Sequence, residues 1–134
     1  MYGTLLAGER NHRLLAHARL LGAARTRPTY ALHDFGPYPA MVRGGAHAVP
    51  GEVYEVDAAT LAALDHLEEH PDVYQRRRIK LQDGLVVWTY LMPRALLGAA
   101  RLIPTGSWRQ RPRRRRAARA PLRHYPAAAP APAH

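Results

Sequence analysis

The chain has 134 residues, a length that suits one domain with a buried core and gives no reason to expect two. Its formal net charge of +10 is unevenly spread: residues 1–108 carry twelve Lys/Arg against ten Asp/Glu, whereas 109–134 carry eight arginines and no acid, so the excess describes an appendage and not what the domain binds. With no cysteine there is no disulfide framework, thiol nucleophile or thiolate metal site, and the eight histidines lack the paired spacing of a metal motif.

Neither a signal peptide nor a membrane-length apolar run is present, which points to the cytoplasm. Tyr2-Gly-Thr-Leu5 reads as the end of an apolar strand entering a loop. Gly3 lets a ligand approach the main chain and the Thr4 hydroxyl can donate to a carboxylate, so the stretch is a candidate anion cradle as well as an ordinary strand end. Asn11 is placed to cap a helix carrying Leu14, Leu15, Ala18 and Leu21, with Gly22 as its stop. Residues 29–35 and 38–43 read as short strands broken at Gly36-Pro37, and 52–56 as a further strand after Pro50-Gly51.

Asp57 caps a helix over 58–69, with Pro71 just beyond it. On that helix Leu61, Leu64 and Glu68 fall on one stripe, so Glu68 points where the leucines point while Asp65 and Glu69 lie toward the flanks. A buried carboxyl without a paired base is driven toward neutrality, the condition for general acid/base work near pH 7. The alternatives are that Glu68 frays into solvent or pairs with an arginine at 76–78. Residues 74–81 and 85–91 flank Gln82-Asp83-Gly84, a hairpin signal that puts Arg76 and Arg78 on one solvated face. The segment 93–103 reads as a short helical or irregular crossover, and 103–108 as a closing loop anchored by Trp108. From residue 110 the Arg, Ala and Pro composition is expected to stay disordered, leaving a domain at 1–109.

Taken in order, Tyr2-Gly-Thr-Leu5, Asn11-His12, Gly51-Glu-Val-Tyr-Glu-Val56, Leu64-Asp-His-Leu-Glu68, Tyr74-Gln-Arg76 and Ile103-Pro-Thr-Gly-Ser-Trp108 resemble the γ-glutamylcyclotransferase-like superfamily, in particular its small bacterial branch and the γ-glutamylamine cyclotransferases. The resemblance implies an α+β fold built on a small, mostly antiparallel β-barrel with a few flanking helices and an active-site cavity at one end. It also implies cleavage of a γ-glutamyl amine or amide by attack of the substrate's own α-amino group, giving 5-oxoproline. Tyr2, Gly3, Thr4 and Leu5 would hold the glutamyl head group and Glu68 would be the general acid/base, with no cofactor, no metal and no membrane partner. The chain departs from the family pattern in its curtailed first strand, in Glu69 where a glycine commonly follows the catalytic glutamate, and in Ser107 where an aspartate often precedes the tryptophan. The competing reading is a binding module without turnover, its arginine-rich tail making nonspecific contact with nucleic acid or another anionic partner. The oligomeric state and the leaving amine are not legible.

Overall fold

A computed structural model describes residues 1–111 of the chain. Among the described residues, three antiparallel sheets and one α-helix make up the domain. Gly36, at φ +102°, takes the left-handed turn that lets β2 (Tyr30–Asp34) fold back on β3 (Pro39–Arg43), with Leu32 opposite Met41. The Asp83-Gly84 turn, with Gly84 at φ +92°, joins β5 (Gln75–Lys80) to β6 (Val86–Leu91), and the Leu85 N–H donates to the Asp83 carboxylate. The third pairing joins β1 (Arg19–Arg25) to β4 (Pro50–Glu55). A two-residue β7 (Arg101–Leu102) extends the β3-β2 sheet. The helix α1 (Ala58–Leu67) starts at Asp57, whose carboxylate accepts the Thr60 N–H at 2.7 Å, and turns Leu64 and Leu67 into the core.

The sheets do not close into the expected barrel, and the described residues hold one α-helix where several were expected. Their joints are single contacts: the Thr26–Leu81 bridge, and the Met92 N–H donating to the Met41 carbonyl at 2.9 Å. Met1 exchanges backbone hydrogen bonds with Glu52 at the edge of β4. Immediately afterwards Gly3 begins a turn closed by the Leu6 N–H on the Gly3 carbonyl.

The helix expected after Asn11 is a correction too. Only His12–Leu15 is helical, as one 3-10 turn, and Ala18 and Leu21 belong to different local structures. Gly22 does not stop a helix; it sits inside β1 at φ +149°, beside the bulge that lets Leu20 oppose Tyr54. Pairing with β4 overrides local helix propensity here, and it leaves Leu20 and Leu21 about half exposed instead of in a buried stripe. The segment 93–103 holds a 3-10 turn at Arg94–Leu96 and then β7, which was not foreseen.

Trp108 is the anchor expected of the closing loop: it is 2% exposed and its indole N–H donates to Glu9. The Arg111 guanidinium lies 3.5 Å from the Trp108 ring centroid, so packed structure continues to the last described residue. The expectation of disorder falls on residues that lie, from 112 onward, outside those described. No helix among the described residues is long and apolar enough to cross a membrane.

Candidate functional site

The residues singled out at 2–5 and 68 meet at one small cavity of about 30 Å³, which Tyr38, Tyr74 and Tyr90 also line. Two features of the chain bring them together. The turn at Gly3 folds Thr4 and Leu5 back beside Pro39, and the last turn of α1 carries Glu68 to the same place as the helix C-cap. Gly3 is required by packing: a Cβ there would lie 2.5 Å from Cγ and 2.8 Å from Cδ of the rigid Pro39 ring. Gly3→Ala is therefore expected to lower stability by about 1–3 kcal/mol, read as a fall in the denaturant midpoint at unchanged slope.

Gly3, Thr4 and Leu5 are buried, and among the described residues their three backbone amides donate no hydrogen bond. Buried amides are nearly always paired, so three successive unpaired donors beside a cavity are candidate anion-binding groups. The Thr4 hydroxyl accepts from the Asn11 side-chain amide at 2.9 Å, which leaves its own proton free to point elsewhere. Asn11, read from sequence as a helix cap, makes no capping hydrogen bond and instead orients Thr4. Tyr2 is fixed by two backbone contacts, donating to the Tyr90 carbonyl at 2.6 Å and accepting from the Met41 N–H at 3.3 Å.

Glu68 is 8% exposed, and its carboxyl makes no hydrogen bond among the described residues. Neither the frayed arrangement nor the arginine pair is found: Arg76 forms an ion pair with Asp65 at 3.2 Å, and Asp65 also accepts the Tyr90 hydroxyl at 2.5 Å. Burial pushes the Glu68 carboxyl from its ordinary 4.5 up to about 8; the nearby Met1 ammonium pulls it down and the Glu69 charge pushes it up. Burial likewise raises the Tyr2 hydroxyl, reinforced by the Glu68 charge.

Glu69 is more exposed than Glu68 and adopts φ +53°, the left-handed conformation that ends a helix best with glycine. The departure at this position thus has a backbone cost. Glu69→Gly is expected to stabilise the fold by about 1 kcal/mol and to lower the Glu68 pKa, as a thermal scan and a carboxyl titration would show.

Sequence reasoning missed Tyr38, Tyr74 and Tyr90 as wall residues. Tyr74 donates to the Pro39 carbonyl at 2.6 Å and so clamps the strand that supports Gly3. Tyrosines spaced 16 or more residues apart, two in the bends that lead into β3 and β5 and one on β6, carry no local signal of convergence. A second, larger cavity of about 440 Å³ shares Met1, Tyr2, Thr89 and Tyr90 with the first but touches neither Gly3, Thr4 nor Glu68. The convergence of free amides and a neutralised carboxyl, and not size, identifies the smaller cavity as the candidate site.

The gamma-glutamyl cyclotransferase, AIG2-like family model matches residues 1–110. A protein of Vibrio cholerae is 46% identical over 111 residues, covering 83% of this chain and 94% of its own length. A protein of Escherichia coli K12 named as a gamma-glutamylcyclotransferase family protein is 37% identical, covering 83% of this chain and 95% of its own. Among solved structures, a uropathogenic E. coli-specific protein superposes with a TM-score of 0.71 at 31% identity, over 81% of this chain and 88% of that one.

Proposed function

The chain belongs to the gamma-glutamyl cyclotransferase, AIG2-like family, and on that premise we propose that it cleaves a γ-glutamyl amine or amide by cyclisation. In this reading Tyr2, Gly3, Thr4 and Leu5 hold the glutamyl head group and Glu68 is the general acid/base. The observation that carries it is the single cavity shared by the unpaired amides of 3–5 and the unbonded Glu68 carboxyl. The amides and the Thr4 hydroxyl suit the substrate's α-carboxylate, and the carboxylate suits its α-ammonium.

The substrate ammonium must first lose a proton. Glu68, at about 8, is mostly protonated at pH 7 when the site is empty. A bound ammonium lowers it by the same attraction that the Met1 ammonium already exerts, so ionised Glu68 and the ammonium it must deprotonate are favoured together. The freed α-amine attacks the γ-carbonyl carbon and forms the ring C–N bond. The tetrahedral intermediate collapses by breaking the bond to the leaving nitrogen, which takes the proton back from Glu68, and the ring nitrogen sheds its remaining excess proton through the emptied carboxylate to the departing amine, which leaves as its ammonium. The products are 5-oxoproline and a free amine, and no water enters. Holding the two ends of the glutamyl group in reacting distance supplies much of the rate.

A cavity of about 30 Å³ has room for about two water molecules, so a γ-glutamyl group enters only as the lining side chains move apart. The test is incubation of the purified chain with γ-glutamyl amines, γ-glutamyl dipeptides and their N-acetylated forms. Amine release from substrates with a free α-amino group, and none from the acetylated ones, is the expected result. Saturable binding with no release from any of them would favour the binding-module reading.

A further inference from the structure

The segment that follows the 3–5 amides is held from outside itself. Ala7 and Gly8 are exposed, and Gly8 takes φ +86°, so burial does little to fix the exit of the Gly3 turn. Polar contacts from two distant elements fix it instead. The Ala7 N–H donates to Oε1 of Glu52 on β4 at 2.8 Å, and the Ala7 carbonyl accepts from the Arg109 guanidinium. Arg109 and Glu52 also meet each other, Nη2 to Oε2 at 3.4 Å. A carboxylate, a guanidinium and the backbone of one residue thus close a ring, with 45 and 102 positions separating Ala7 from its two partners.

Glu52 is itself held. Its Oε1 accepts the Tyr54 hydroxyl at 2.9 Å, and its side chain is 12% exposed against 45% for Arg109. Burial works to raise the Glu52 carboxyl, but the Ala7 amide, the Tyr54 hydroxyl and Arg109 outweigh it and hold the group below its ordinary 4.5. Next in the chain to Arg109, the Trp108 indole N–H donates to Glu9 at 3.1 Å, so β4 and the closing loop grip positions 7 and 9 together. Neither Glu52 nor Arg109 lines the small cavity. The turn joins them to it: the Leu6 N–H that closes on the Gly3 carbonyl is one residue from Ala7, and the peptide planes carrying the unpaired amides move with that turn.

We propose that Glu52 and Arg109 are positioning residues for the 3–5 amides: together they hold Ala7, and through it the turn, in the shape in which those amides meet a substrate carboxylate. The proposal rests on the reading of 3–5 as the site of the glutamyl head group. Neither side chain touches the substrate. A displacement of about an ångström, caused far from the reacting atoms, can cost on the order of 100-fold, so loosening this clasp is felt at the cavity.

The experiment uses four full chains: native, Glu52→Gln, Glu52→Ala and Arg109→Met. Affinity for 5-oxoproline is read by NMR titration of the Gly3, Thr4 and Leu5 amides, and kcat and KM are read on a γ-glutamyl amide. Glutamine keeps an acceptor for the Ala7 N–H, and alanine keeps none. Glu52→Ala and Arg109→Met are expected to weaken 5-oxoproline binding and to raise KM at least about tenfold, with kcat within about threefold. Glu52→Gln should stay within about threefold of the native affinity. A contact that only stabilised the fold would do the reverse, lowering apparent kcat through the folded fraction and leaving the affinity of the folded protein unchanged. Arg109 stands at the surface, so Arg109→Met decides the matter where Glu52→Ala does not fold. Native affinity in folded Arg109→Met would overturn the proposal, as would a glutamine variant that binds no better than the alanine one. If the native chain binds 5-oxoproline but turns over no γ-glutamyl amide, the cyclisation reading fails, and a tenfold loss of affinity in Arg109→Met still supports the clasp. A native chain that does not bind 5-oxoproline would overturn both.

Discussion

Glu68→Gln is expected to reduce turnover of a γ-glutamyl amide by roughly 100- to 10,000-fold while KM changes little. Glutamine keeps the size and one acceptor oxygen but cannot exchange a proton. It therefore separates proton transfer from packing in a cavity where Glu68 makes no hydrogen bond that the substitution would break. Steady-state kinetics on the folded variant check this. Undiminished kcat would remove Glu68 from the chemistry, and a loss confined to KM would make it a binding residue.

The same substitution is expected to stabilise the fold at high pH. A carboxyl raised from 4.5 to about 8 keeps its proton in the folded state between those values while the unfolded chain loses it. Stability from this group therefore falls as pH rises through that window, and the whole penalty is present above about 8. The Met1 ammonium acts oppositely: lowered from 8.0 to about 6, it is protonated only in the unfolded chain across that range, so its contribution rises with pH there. The native chain should lose stability from about pH 4.5 to 6 and then level off between 6 and 8, where the two trends oppose.

Glu68→Gln keeps the Met1 rise and loses the Glu68 fall. Near pH 5 the two proteins should melt together, since each then buries a neutral group. By pH 9 the variant should be the more stable by a few kcal/mol, on the order of 10 °C in Tm. Melting curves at pH 5 and pH 9 check it. Equal melting at both would mean that Glu68 titrates as an ordinary surface carboxylate.

The helix around Glu68 was legible because its signals are local: Asp57 caps it, and Leu64 and Glu68 fall on the buried side. The two glycine turns at 36 and 84 were legible for the same reason, each marking a left-handed position between apolar runs. Residues 11–22 were not. Leu14, Leu15, Ala18 and Leu21 repeat at helical spacing, yet Arg19–Arg25 is held as a strand by residues 50–55, about thirty positions away. Periodicity within a window cannot register such a partner.

At the candidate site, Tyr2 to Leu5 and Glu68 were singled out by a resemblance joined to a helical stripe. What those signals omitted is the support: Pro39 against Gly3, Asn11 on Thr4, and Tyr90 on Asp65. The Pro39 and Tyr90 contacts join distant elements, and Asn11 reaches Thr4 across a turn whose shape is set by the assembled fold. The free amides of 3–5 are likewise a property of the Gly3 turn and have no signature in the four letters that form it.

In the proposed reaction the substrate's own amine, and not water, displaces the leaving group. Turnover of a γ-glutamyl amide in ¹⁸O-labelled water, with mass spectrometry of the products, tests this most directly. Cyclisation predicts unlabelled 5-oxoproline equal in amount to the released amine, whereas glutamate carrying ¹⁸O in its side-chain carboxylate would contradict it.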